Sequence, residues 1–400
     1  MLYIIFYFQV HQPFRVKRFN FVTLNQGSDY FNDELNAAVF NRVAEKCYLP
    51  TNKLFKELIE RADGRFKIAY SLTGTFIEQA KKFRPEVLKS FIDLVKTGAV
   101  ELLNETYYHS LSSIFDLDEF VEEVLEHAEL VKKEFGFIPT TFRNTELIYF
   151  DKLSDILFAT MPQIKTILIE GADRILKGDS PLYPRISANH AHLLLLKHYK
   201  LSDDIAFRFS DKSWKEYPLT PQKYLSWIKD LMLTEKEGKN LYLNLFMDYE
   251  TFGEHQWPET GIFEFIKEFV LLALKEKNLK FLWPSEVKDT LNYTLCPLSV
   301  PNPTSWADTE RDLSAWLSNS LQWNAMKTCY ELIKKAKEEK RQDLLPILKK
   351  LSTSDHFYYM CIKYFQDGDV HKYFSPYSSP EEIYRYYMSI LADIENKLEE

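Results

Sequence analysis

Residues 241–255, LYLNLFMDYETFGEH, set an apolar, β-rich run against an abrupt acid. Leu241, Leu243, Leu245, Phe246 and Met247 lead into Asp248, and Glu250 and His255 follow within seven positions. A short apolar run bounded by polar residues fits a strand buried on both faces, the kind found in parallel sheets. Such a strand carries Asp248 to a surface. Three other segments share the pattern: LYIIFYFQV (2–10) runs into His11, Gln12 and Pro13, AVELLN (99–104) into Glu105 and His109, and TTFRN (140–144) into Glu146. Parallel α/β folds collect their sites at the carboxyl ends of strands, so acids and histidines converging there point to an enzyme.

The rest of the chain supplies the partners for these strands. Strands are predicted over 2–8, 66–72, 99–104, 139–145, 164–170, 191–198 and 241–247, alternating with helices near 52–62, 85–97, 117–135, 150–160, 221–236 and 261–277. In the helix at 117, Asp116 and Glu119 have capping-box spacing, and Val121, Val124, Leu125, Ala128 and Val131 form an apolar stripe expected to face the sheet. From about residue 309 strands vanish. Leu313, Trp316, Trp323, Met326, Tyr330 and Ile333 recur at helical steps and predict one long amphipathic helix. Further helices are expected near 343–350, 354–365 and 381–398, the last opened by Ser379, Pro380 and Glu382. The prolines at 297, 301 and 303 mark the connector. The predicted organisation is a catalytic unit over 1–290 and a helical unit over 291–400 that completes the cleft.

Composition narrows the function classes. In 400 residues, 46% are hydrophobic and 15% aromatic, enough to bury a large core and still line a groove with rings. The net charge of −8 comes from interspersed acids and bases, leaving no basic field for a nucleic acid. Cys47, Cys296, Cys329 and Cys361 lie far apart with no metal-ligand spacing, and are expected to be reduced, buried thiols. MLYIIFYFQV has no basic region before it and no small-residue cleavage site, so it reads as a first strand rather than a signal, and no run reaches the roughly 20 apolar residues that span a bilayer. The expected location is the cytoplasm, with no membrane partner.

Five segments together give the chain a resemblance: HQP (11–13), GAVELLNETYYHSL (98–111), FRNTELIY (142–149), MDYETFGEH (247–255) and SWADTERDLSAW (305–316). In this order the chain resembles glycoside hydrolase family 57, the α-amylase and 4-α-glucanotransferase family. The resemblance implies an incomplete seven-stranded (β/α) barrel followed by a C-terminal helical bundle. It implies hydrolysis or transfer of α-glucosidic bonds with retention, and the leading expectation is a retaining enzyme cleaving α-1,4-glucosidic bonds of starch, glycogen or maltodextrins, without cofactor or metal. It also carries the nucleophile onto Glu146 and the general acid/base onto Asp248, with His11, His109 and His255 lining the subsite of the cleaved glucose.

The residues suit those roles. Retention needs two carboxyl groups about 5–5.5 Å apart, one ionised and one protonated. Asp248 follows an apolar run, so desolvation and a nearby carboxylate would keep it protonated, while Glu146 has Arg143 and Asn144 as candidate partners to hold it ionised. Gln12 belongs to the HQP segment. Glu250 is a candidate to bond a sugar hydroxyl or tune Asp248. Trp257 and Trp306 are candidate sugar platforms, with core packing the alternative for Trp306, and Trp316 reads as core. Asp312 lies in the fifth segment, and Asp355 and His356 either cap the cleft or cap a helix. His190 and His192 share a strand face without a third ligand and read as structural or groove-wall residues. Three alternatives remain: glucan transfer or branching by the same carboxylate pair, a metal-dependent carbohydrate hydrolase, and a non-catalytic glucan-binding protein.

Overall fold

β1 (Leu2–Val10) is buried along all nine residues, because strands cover both of its edges and side chains both of its faces. The computed structural model describes residues 1–19, 29–235, 238–363 and 374–399. Its other strands are β2 (Ile68–Leu72), β3 (Val100–Leu102), β4 (Thr141–Arg143), β5 (Thr166–Glu170), β6 (Arg185–Ser187), β7 (Leu193–Lys197), β8 (Leu241–Asp248), β9 (Leu279–Phe281) and β10 (Pro297–Leu298). One edge of β1 pairs in parallel with β8 from Leu2 opposite Leu241 to Gln9 opposite Asp248. The other edge pairs with β9 over Leu2–Ile4 and with β2 over Phe6–Val10.

Parallel pairing continues from β2 to β3, from β4 to β5 and from β5 to β7. Two narrow seams bring the sheet round: Asn104 against Phe142 beside β3 and β4, and Lys197 against Asn244 between β7 and β8. The result is the expected nearly closed barrel of seven parallel strands, β1, β2, β3, β4, β5, β7 and β8. β6 adds antiparallel to β7, and β10 pairs with β6. These two strands and β9 were absent from the sequence reading, since two or three residues carry no periodicity to detect.

The pleat sorts side chains by parity. On β1, Leu2, Ile4, Phe6, Phe8 and Val10 pack outward with the helices Leu49–Arg61 and Ile262–Ala273. Tyr3, Ile5 and Tyr7 pack inward with Ala69, Leu168, Leu193, Leu195, Tyr242 and Phe246, one apolar plug drawn from strands all round the barrel. Following the inward parity to the carboxyl ends gives Gln9, Ser71, Arg143, Glu170, Lys197 and Asp248. The plug therefore ends in a polar layer.

The helix Leu117–Phe135 forms where predicted, but its buried face is Phe120, Glu123, Val124, His127 and Val131, while Leu125 is 45% exposed. Polar partners rotate it: Glu123 accepts from the Tyr108 backbone at 3.0 Å and the Ser110 hydroxyl at 2.5 Å, and the His127 ring bonds Leu72 O at 2.9 Å and Asn104 Oδ1 at 2.8 Å. Asp116 caps the helix through Asp118 N and Glu119 N. Glu119 does not close a capping box, because its carboxylate is held by Lys349 at 3.0 Å and by Lys337.

The expected single long helix is two, Ser314–Leu317 and Ser320–Glu338. Asn319 breaks the run by capping the second, its side chain accepting from Gln322 N at 3.0 Å, and Trp323 turns outward to half exposure. Helices Leu345–Leu351, Ser354–Tyr358 and Pro380–Glu399 complete the bundle. The helix expected over 354–365 stops at Tyr358, and its last two positions lie outside the described residues. The bundle shares a core with the barrel's loops through Val16, Tyr30, Leu111 and Ile148. Cys296 is exposed, contrary to expectation, while Cys47, Cys329 and Cys361 are buried. Among the described residues no helix is long and apolar enough to cross a membrane.

Beyond β8 the chain turns at Gly253, where φ is +102° and an added Cβ would stand 1.9 Å from the Lys46 carbonyl. The Gly253→Ala variant combines that clash with a backbone that side chains rarely adopt, and is expected to lose at least roughly 1–3 kcal/mol of stability in denaturant titration.

Candidate active site

The polar layer opens into a cleft of about 580 Å³ between the carboxyl ends of the strands and the first helices of the bundle. Gln9, His11, Gln12, His109, Glu146, Lys197, Asp248, Glu250, His255, Trp306 and Asp355 all line it. Strand pairing places Asp248 directly opposite Gln9 at the end of β8. Glu146 stands three residues past β4 with φ of +56°, and Leu147 and His109 are also left-handed, at +53° each. Positive φ at non-glycine residues costs energy that the surrounding structure must offset, and such residues gather at functional sites.

Both oxygens of Glu146 are engaged. His109 Nε2 lies 2.8 Å from Oε1, and the Trp306 indole N–H donates to Oε2 at 2.6 Å. The side chain retains 22% exposure, toward the cleft. Burial alone would raise its pKa, but the His109 bond and charge, then Arg143 and the indole, together hold it below the ordinary carboxylate value. The same contacts act on His109. Burial disfavours its cation, yet Glu105, 3.5 Å from Nδ1, and Glu146 raise it to about 9. Glu105 is itself fully buried and accepts from Gln9 Nε2 at 3.2 Å and 3.3 Å.

Asp248 is displaced in the opposite direction. Burial first, and the charge of Glu146 second, push it up to about 6 against the pull of Arg143, His109 and Lys197. The cleft thus holds one carboxyl poised to stay ionised and another poised to keep its proton up to about pH 6, the partition expected of an acid and a nucleophile in different surroundings. Glu250 is raised to about 8 by burial and then by Asp248. Its carboxylate takes the Tyr48 hydroxyl, which accepts from Gln12 Nε2 at 3.1 Å, and Gln12 Oε1 in turn accepts from Arg15 at 3.2 Å.

The His11 ring stacks on that of His109 with centroids 4.2 Å apart. Its Nδ1 lies 3.0 Å from Thr73 Oγ1 and its Nε2 3.0 Å from Asp355 Oδ2. Burial and the neighbouring His109 charge lower His11, whereas His11 and His109 hold Asp355 well below the usual range against its burial. His255 meets Phe374 edge to face at 5.3 Å, and burial lowers it to about 4.

Three of the candidate substrate-binding residues lie outside the cleft lining. Trp257 is 57% exposed with Lys46 over its ring, Asp312 accepts from Ser314 N at 2.8 Å as a local cap, and His356 is buried beside Tyr387 within the bundle. Trp316 is buried yet reaches the cleft wall. His192 is buried against Ser154 Oγ at 2.7 Å and His190 is exposed, and neither lines the cleft.

The sequence reading missed Gln9, Lys197, Asp203 and Arg311. Lys197 ends LLLLK, an apolar run stopped by a charge like the others, and Gln9 carries the inward parity of β1, so both had a signal. Lys197 and Arg311 interlock with Asp203 at 3.1 Å and 3.3 Å and with Glu170 at 3.9 Å and 3.2 Å. Among the described residues no group of three or more His, Cys, Asp or Glu is arranged to hold a metal.

Because His109 is held at about 9 when folded, above its ordinary 6.5, its share of stability is full below pH 6.5 and disappears as pH rises through 9. Denaturation measured across this range should show a decline that is flattened in His109→Gln.

Comparison with known proteins places the chain among relatives. The sequence model of glycosyl hydrolase family 57 matches residues 5–298. A Methanocaldococcus jannaschii protein named "Putative alpha-amylase" is 43% identical over 416 aligned positions, covering 99% of this chain and 85% of the relative. Among solved structures, the 4-α-glucanotransferase of Thermococcus litoralis superposes with a TM-score of 0.69 at 13% identity, covering 99% of this chain and 60% of its own. A branching enzyme of Pyrococcus horikoshii gives 0.68 at 17% identity, covering 99% and 94%. At such identities the two structures speak for the fold.

Proposed function

The chain belongs to glycosyl hydrolase family 57, and on that footing we propose that it hydrolyses α-1,4-glucosidic bonds of starch, glycogen or maltodextrins with retention, Glu146 as nucleophile and Asp248 as general acid/base. The observation that carries this reading is the pair of carboxyl groups facing one cleft with pKa values displaced in opposite directions, each by identifiable neighbours.

In the first step Asp248 gives its proton to the leaving glycosidic oxygen while ionised Glu146 attacks the anomeric carbon. The ester so formed removes the negative charge of Glu146. That charge is one of the two causes raising Asp248, so its loss lowers Asp248 and makes it a base. It then takes a proton from the water that opens the ester, and Glu146 is released ionised. His109 and Trp306 bond the nucleophile in its anionic form and so favour that release.

Supporting hydrolysis is the 43% identical relative named "Putative alpha-amylase". The cleft's neutral amide and hydroxyl groups, with the stacked His11 and His109 edges, suit a polyhydroxyl substrate. A metal-dependent hydrolysis finds no ligand set among the described residues.

Three measurements test the proposal. Glu146→Gln and Asp248→Asn should each reduce turnover by at least about 10³-fold, with binding of long maltooligosaccharides largely retained. Wild-type rates in either variant would remove the mechanism, and products longer than a pure maltooligosaccharide input would replace hydrolysis by transfer. The kcat/KM profile should be bell-shaped, falling as pH rises above about 6 when Asp248 loses its proton, and falling again as acid protonates Glu146.

A further inference from the structure

The side chain of Arg143 is fully buried, and its Nε and both terminal nitrogens have no hydrogen-bond partner among the described residues. An unpaired buried guanidinium is costly, and its persistence asks what holds it and what it does. Aromatic rings face it instead. The guanidinium carbon lies 4.8 Å from the centroid of Trp306 and 6.0 Å from that of Tyr7. Lys197 Nζ also lies over Trp306, at 5.0 Å.

Two cations over one indole withdraw electron density from the ring and polarise its N–H, which makes it a stronger donor. That N–H is the one aimed at Glu146 Oε2 at 2.6 Å. The backbone repeats the link, since Trp306 N–H donates to the Glu146 carbonyl at 3.1 Å. The indole is therefore tied to Glu146 at two points and stacked under Arg143, which is itself only three residues from Glu146 on β4. The loop is fixed from behind as well, by Arg311 donating to Trp306 O at 3.4 Å and to the Glu170 and Asp203 carboxylates.

We propose that Arg143 and Trp306 act as one device on Glu146: the indole N–H is a charge-polarised donor that holds Oε2, and Arg143 is the positioning residue that orients and polarises the ring while its guanidinium bonds none of the described residues. A guanidinium bonded directly to Glu146 would compete with attack on carbon. One set behind an aromatic ring supplies its field without occupying a lone pair. The catalytic consequence rests on Glu146 being the nucleophile, whereas the contact itself can be tested without turnover. Glu146 is faced by His109 with Glu105 behind it, by the His11–Asp355 pair, by Arg143, by Lys197, and by Asp248 with Glu250, so variants must be read against that whole set.

The test is nuclear magnetic resonance of the 400-residue chain with ¹⁵N-labelled tryptophan, whose seven indole N–H signals leave one to be assigned by its loss in Trp306→Phe. That signal should lie far downfield, titrate with Glu146, and lose both properties in Glu146→Gln. In Arg143→Gln its midpoint should rise by about one pH unit, and in Arg143→Lys, which keeps charge without a planar face, it should return part of the way. An indole signal indifferent to Glu146→Gln, or an unchanged midpoint in Arg143→Gln, would overturn the device. If Arg143→Gln does not fold, an indole signal in Arg143→Lys identical to wild type does the same.

With activity on maltooligosaccharides, the acid limb alone should move to higher pH in Trp306→Phe, while both limbs should move up in Arg143→Gln, because Arg143 also acts on Asp248. A merely structural role would lower the rate with both limbs in place. Absence of any glucan activity in the wild type would sink the proposed function and leave the resonance result standing.

Discussion

The 2.8 Å bond between His109 and Glu146 is the contact on which the rest of the site depends. Both residues adopt left-handed backbone, a cost that neither β3 nor β4 alone could impose. What over-determines them lies on three sides. Glu105 and Gln9 stand behind the ring of His109, the His11 ring stacks on its face, and its carbonyl accepts from Ser354 N at 2.9 Å. Through Ser354 and the His11–Asp355 pair, the helical bundle holds the barrel's charged centre as well as roofing it.

Charge in this centre is graded rather than paired one to one. Glu105 and Glu146 share the proton-holding ring of His109, Arg143 stands among three carboxyl groups without bonding any of them, and Lys197 is shared by Glu170 and Asp203. Asp248 lies where burial and the field of Glu146 outweigh those cations, so it alone of the facing pair is raised. The two carboxyl groups differ because the residues around each differ.

Much of the barrel was legible in the sequence, because its strands are buried on both faces and a continuous apolar run announces that condition directly. The seven parallel strands and the acids at their ends followed from this rule. The rule failed where polar residues are buried: Glu123 and His127 sit on the inner face of the helix Leu117–Phe135 because specific partners satisfy them, and a stripe counted by hydropathy selected Leu125 instead. It failed also at Asn319, where a cap inside an amphipathic pattern divides one helix into two. Of the candidates near the cleft, Trp257 and Asp312 stand outside its lining, Trp257 turned to solvent beyond the end of β8 and Asp312 spending its carboxylate on Ser314 N.

What the sequence determined by itself was which side chains reach the carboxyl ends of the strands, since the two-residue period of a strand and the burial of its faces are local properties. It also presented Glu146 and Asp248 as the acids to watch. The direction of their difference in protonation was anticipated from neighbours in sequence, but apart from Arg143 the groups that set it were assembled by the tertiary structure: His109, Trp306 and Lys197 come from separate strands and from a loop 160 positions beyond Glu146, and electrostatic energy depends on distance through space and on exclusion of water rather than on separation along the chain.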